Sequence, residues 1–130
     1  MPTRNLLVLK KWSLILVIGY ATALTIGSLI NTGGMPELGS SYDDKIYHFI
    51  AYSMFTILAY NYFSYKQKKH KILYAAVFVI VYGIVIEVLQ HVLTSNRTLD
   101  AYDVLANSLG VLLAVIALVL RKRMNLKMNA

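Results

Sequence analysis

Cysteine is absent from the 130 residues, which excludes disulfides and thiolate chemistry. Charge is scarce as well. Asp, Glu, Lys and Arg make up 15% of the chain against 58% hydrophobic residues, too little charge for a soluble domain of this size. No H-E-x-x-H or comparable ligand spacing occurs, no glycine-rich phosphate loop, and no nucleophile elbow around Ser40, Ser41, Ser95 or Ser108. These absences predict no metal and no cofactor. Internal repeats and low-complexity tracts are missing too.

Apolar sequence is what remains, and it falls in four blocks at about 12–30, 46–64, 72–93 and 104–120. Each reaches or nearly reaches the roughly 20 residues that span a bilayer. The expected fold is an all-α integral membrane protein, a single domain over 1–130 with four transmembrane helices in an antiparallel bundle. The first block is too long for a signal peptide and no A-x-A site follows it, so it is expected to stay attached.

Charge placement sets the expected orientation. Eleven of the thirteen basic residues flank the blocks on one side: Arg4, Lys10 and Lys11, then Lys66, Lys68, Lys69 and Lys71, then Arg121, Lys122, Arg123 and Lys127. No acid stands among them. Glu37, Asp43, Asp44, Glu87, Asp100 and Asp103 all fall towards the other side, with Lys45 and Arg97. The positive-inside rule then puts both termini in the cytoplasm. Bases in short loops beside membrane spans answer to topology and anionic lipid, so nucleic acid is not an expected partner.

Between blocks 1 and 2 the loop NTGGMPELGSSYDDK carries turn signals at Gly33, Gly34, Pro36 and Gly39. Asn96-Arg97-Thr98 matches a glycosylation sequon, which has meaning only in a secretory-pathway eukaryote. Gly19, Ala23 and Gly27 in block 1, and Ala106, Gly110 and Ala114 in block 4, form small-residue faces for close helix packing. Tyr42 and Tyr47 suit one membrane interface; Trp12, Tyr60, Tyr62, Tyr65 and Tyr74 suit the other.

Polar residues interrupt this pattern at one depth. Glu87 lies six residues before the end of block 3, about 9 Å below that end at the helical rise. A carboxylate there must face the bundle interior or a wet cavity. Gln90 and His91 follow on the same face, and Gly83 adds no bulk one turn below. Block 2 carries Asp44 and His48 four apart with Lys45 beside them; block 4 carries Asp103, Asn107 and Gly110. Packing would bring the three stripes together, with Arg97 and Asp100 from the connecting loop over them. His48, Glu87 and Asp103 are the candidates for acid, base or orienter. Asp44, Lys45, Gln90, Arg97, Asp100 and Asn107 are the candidates for ligand binding. Each aspartate can instead cap a helix, and a Glu87–Arg97 or Glu87–His48 pair can be a purely structural lock.

The order D-K-x-x-H at Asp44–His48, E-x-x-Q at Glu87–Gln90 and R-x-x-D-x-x-D-x-x-x-N-x-x-G at Arg97–Gly110 resembles the VanZ-like family of small bacterial membrane proteins. The resemblance runs from the second half of the first loop through block 4. It implies the bacterial cytoplasmic membrane and a link to glycopeptide antibiotics, since the name-giving member is associated with teicoplanin resistance. The expected function is a polar pocket at the outer leaflet that binds or modifies a membrane lipid, a lipid-linked envelope molecule or a lipoglycopeptide. An intramembrane acid–base enzyme and a non-catalytic scaffold are the rival expectations.

Overall fold

A computed structural model describes residues 2–30, 42–66, 69–93 and 100–129. It contains four helices, α1 (Pro2–Leu29), α2 (Asp43–Tyr65), α3 (Lys71–Leu93) and α4 (Ala101–Met128), and no strand among the described residues. Two helices outrun their apolar blocks. α1 begins at Pro2, and α4 continues through RKRMNLKM to Met128. Arg, Lys, Met and Leu are strong helix formers, so the helix persists where apolarity stops. A proline suits the first helical position, where its missing N–H has no partner to lose. Asp100 starts α4 as its N-cap: its side chain accepts from the Tyr102 backbone N–H at 2.8 Å. α2 has no side-chain cap and carries Asp43 and Asp44 in its first turn.

α2 occupies the centre. It packs against each of the other three helices, most extensively α4, whereas α1 and α4 do not meet among the described residues. The reason lies in its side chains. Tyr52, Phe55, Thr56 and Ala59 are buried along its length. The Phe55 ring lies 5.5 Å from Tyr20 of α1, and 5.7 and 5.0 Å from Phe78 and Tyr82 of α3. Tyrosine hydroxyls tie α1 into this core by donating to backbone carbonyls: Tyr20 to Ala51 at 2.9 Å, Tyr82 to Ala21 at 2.6 Å. Such bonds hold helices together where lipid offers no competing partner.

Large apolar side chains such as Leu16, Val81 and Leu112 point outward instead. Three helices are long and apolar enough to cross a membrane, at Lys10–Leu29, Lys71–Leu93 and Ala101–Met128. The sequence reading expected four such spans. α2 falls short because polar residues interrupt it, Asp43 to Lys45 and His48 near its start and Asn61 near its end, together with five tyrosines.

The two small-residue faces behave differently. A Cβ built at Gly110 would overlap the Phe49 carbonyl oxygen and lie 3.2 Å from the Ser53 nitrogen, so only glycine lets α4 sit this close to α2. The Ser53 hydroxyl bridges the seam, 2.8 Å from the Phe49 carbonyl and 2.9 Å from that of Gly110. At Gly19 and Gly27 no atom lies within 4 Å of the added carbon. The expected close packing through α1 is therefore not made among the described residues.

Candidate functional site

Lys45, in the first turn of α2, joins the starts of α2 and α4. Its Nζ lies 2.8 Å from Asp100 Oδ2, 2.8 Å from Asp103 Oδ1 and 3.9 Å from Asp44 Oδ2. One cation thus serves three carboxylates. The Lys45 ammonium, hydrogen-bonded to Asp100, holds that carboxyl below its usual range, and the Tyr102 N–H adds to the effect. Asp100 therefore both caps α4 and pairs with Lys45.

One turn further along α2 stands His48. Its Nδ1 is 2.9 Å from Asn107 Oδ1, and Asn107 Nδ2 donates to Glu87 Oε1 at 3.4 Å. Direct approach of His48 Nδ1 to Glu87 Oε1 is 4.0 Å, so the amide mediates. An ionised Glu87 only accepts, which turns the Asn107 amide nitrogen towards it and leaves Oδ1 for the histidine. The network then puts a proton on Nδ1, with Nε2 directed away from α3. Asp44 Oδ1 lies 3.7 Å from that Nε2. Glu87, Asp103 and Asn107 are between 3% and 7% exposed. Burial and orientation of this kind suit a base held by a second group, with a third fixing its direction.

Three helices therefore bring together His48, Glu87, Asp103 and Asn107, with Asp44, Lys45 and Asp100 at the rim. Gln90 departs from the group: it is buried, but its amide donates to the Ser28 carbonyl of α1 at 2.8 Å. His91 is exposed. Arg97 lies outside the described residues, as do the sequon and the turn-rich loop at 31–41. Oxygen and nitrogen atoms of Asp44, His48 and Asp103 come within 4.8 Å of one another, a spacing that a divalent cation can use. Lys45 already sets a positive charge on Asp103 there.

A cleft of about 420 Å³ opens between α1 and α2 beside this cluster. Ala23, Leu24, Gly27, Ile50 and Met54 make its walls; Ser28, Asp44 and His48 make its polar end. Of the cluster, only Asp44 and His48 reach this space, while Glu87, Asp103 and Asn107 stand behind the histidine. Gly27 explains part of the opening, since a side chain there would project into it.

Tyr52 also lines the cleft, and sequence reasoning missed it. It is 2% exposed, its ring stacks 6.3 Å from His48, and its hydroxyl has no hydrogen-bond partner among the described residues. A buried donor without a partner is rare enough to call for an explanation. Gly83 makes room for the ring: a Cβ there would lie 2.8 Å from Tyr52 Cε1. The signal was present in the sequence, because Asp44, His48 and Tyr52 recur every four residues on one helical face.

These features define an all-helical membrane protein with a buried acid–amide–imidazole chain meeting an apolar cleft. The chain belongs to the VanZ/LLP1 family, whose model matches residues 5–122. No curated protein and no solved structure matches it.

Proposed function

We propose that this VanZ-family protein holds an amphiphilic envelope molecule in the α1–α2 cleft, its polar head at Ser28, Asp44 and His48 and its apolar chain along Leu24, Ile50 and Met54. The observation that carries this reading is the two-ended chemistry of the cleft, apolar walls running to one polar end. A lipid-linked envelope precursor and the acyl tail of a lipoglycopeptide of the teicoplanin type both have that form. Sequestration of such a molecule is a route to glycopeptide resistance.

The same reading places the chain in the bacterial cytoplasmic membrane, crossing four times with both termini inside and the cleft towards the outer leaflet. Its support is the one-sided set of eleven bases. Contacts along the helices agree with alternating directions. Lys45 of α2 meets the start of α4, and Phe63 near the end of α2 meets Tyr74 near the start of α3.

Gly27→Leu tests the cleft directly. Among the described residues nothing stands within 4 Å of a Cβ added at Gly27, and the longer side chain projects into the cleft. The purified variant should melt like wild type and lose retention of an acyl-tailed glycopeptide, with the tailless core as the blank. Undiminished retention by Gly27→Leu would overturn the proposal.

One observation favours a second reading, in which His48 acts as a base. The Glu87–Asn107–His48 chain fixes the ring and leaves Nε2 at the cleft, the arrangement a positioned proton acceptor requires. Chemical change of a bound lipid-linked substrate, lost in His48→Gln, tests it.

A further inference from the structure

A second cavity of about 420 Å³ lies at the opposite end of the bundle, where α2 ends, α3 begins and α4 leaves the apolar block. Its character is different. Lys71, Arg121 and Lys122 bring three cations to its walls, and Asn61, Tyr65 and Asn125 add neutral polar groups. No acid stands near it in sequence: all six lie at or before residue 44 or between residues 87 and 103, towards the other end of the helices. Ser64 also lines it, and Ser64 Oγ is buried with no hydrogen-bond partner among the described residues. Lys71 is steered by the Tyr60 ring, whose centroid lies 5.5 Å below the ammonium.

We infer that this cavity binds the phosphate of an anionic phospholipid. Three cations with no acidic side chain among the lining residues attract a multiply oxygenated anion, and a guanidinium matches a phosphate's paired oxygens. The Ser64 hydroxyl gains the acceptor that no described residue gives it. α3 contributes the positive end of its dipole at Lys71; the ends of α2 and α4 contribute the opposite sign, which the three side-chain charges outweigh. Leu118 and Leu126 line the same space and supply apolar surface for the start of an acyl chain. The lipid, rather than a free phosphate, is the occupant because the cavity adjoins the apolar length of α4, with Leu120 exposed beside it. Basic pockets of this kind between membrane helices hold acidic lipid headgroups.

This site is independent of the cleft at His48, and it is tested on the full chain in detergent by native mass spectrometry. Phosphatidylglycerol is the probe and phosphatidylcholine the reference. Wild type should retain the anionic lipid selectively. Lys71→Gln with Arg121→Gln should weaken that retention about thirtyfold, as two near-surface cations are lost. Arg121→Lys keeps the charge and should keep most of the binding. The paired control, Lys11→Gln with Lys127→Gln, removes two bases outside the cavity and should stay near wild type. Equal weakening in that control would mean diffuse charge attraction and would overturn the site. So would a Lys71→Gln, Arg121→Gln protein that binds as before. Soluble glycerol phosphate matching the lipid's affinity would overturn the lipid as occupant. Helical circular dichroism of each variant without added lipid separates loss of binding from loss of fold.

Discussion

Glycine-to-alanine exchange should have opposite signs at two positions of this chain. At Gly110 the new methyl runs into the Phe49 carbonyl oxygen, with Phe49 C at 3.1 Å and Ser53 N at 3.2 Å. All three are backbone atoms, so none can swing aside and α4 must back away from α2. Overpacking of this kind costs about 1–3 kcal/mol. Separation also strains the Ser53 bridge to the Gly110 carbonyl, worth about 1 kcal/mol. The gain in helix propensity from glycine to alanine returns about 1 kcal/mol. Gly110→Ala is therefore expected to destabilise by about 1–3 kcal/mol. At Gly27 the clash is missing and only the propensity gain remains, so Gly27→Ala should be neutral or stabilising by up to about 1 kcal/mol. Thermal loss of helical circular dichroism in one detergent measures both. If Gly110→Ala melts no lower than Gly27→Ala, the close approach of α2 and α4 is wrong.

Tyr52→Phe removes a hydroxyl that no described residue pairs, so its stability should equal or exceed wild type, by about 1 kcal/mol at most, read as the melting point. Glu87→Gln can still accept the Asn107 amide, so abundance and melting should hold while glycopeptide tolerance is lost; joint loss of both would make Glu87 a structural lock. Asp100 sets the acid response. Its folded pKa is depressed, so it stabilises the fold above its ordinary value of 3.8, and that contribution disappears as pH falls through the lower, folded value. Melting measured across that acid range should drop in wild type and flatten in Asp100→Asn, which keeps the cap.

Four helices were legible because lipid selects long apolar runs, and those runs mark the middle of each helix. The ends were not. Pro2–Lys10 and Arg121–Met128 are helical for reasons of propensity, which hydropathy does not register. Meeting of the polar stripes was legible from depth: Asp44, His48, Glu87, Asp103 and Asn107 had to find one another or face lipid. Their division of labour was not, since nothing in spacing says that Asn107 stands between Glu87 and His48, or that Gln90 turns to Ser28. Tyr52 was hidden by its company. α2 is rich in tyrosine, and tyrosine near a membrane reads first as an interface anchor.

The polarity of α2 has a consequence for how the protein is made. In the four-crossing topology, α2 leaves the ribosome when only α1 is available as company, and the helices that bury its other sides are not yet synthesised. A segment bearing Asp43, Asp44, Lys45 and His48 gains little by moving into lipid alone. On that proposed topology its polar start finds cover only once α3 supplies Glu87 and α4 supplies Asp103 and Asn107, which couples membrane insertion to assembly of the polar cluster. A chain cut short before α4 would leave Lys45 without Asp100 and Asp103 and His48 without Asn107, and present the cell's quality-control proteases with an unfinished bundle.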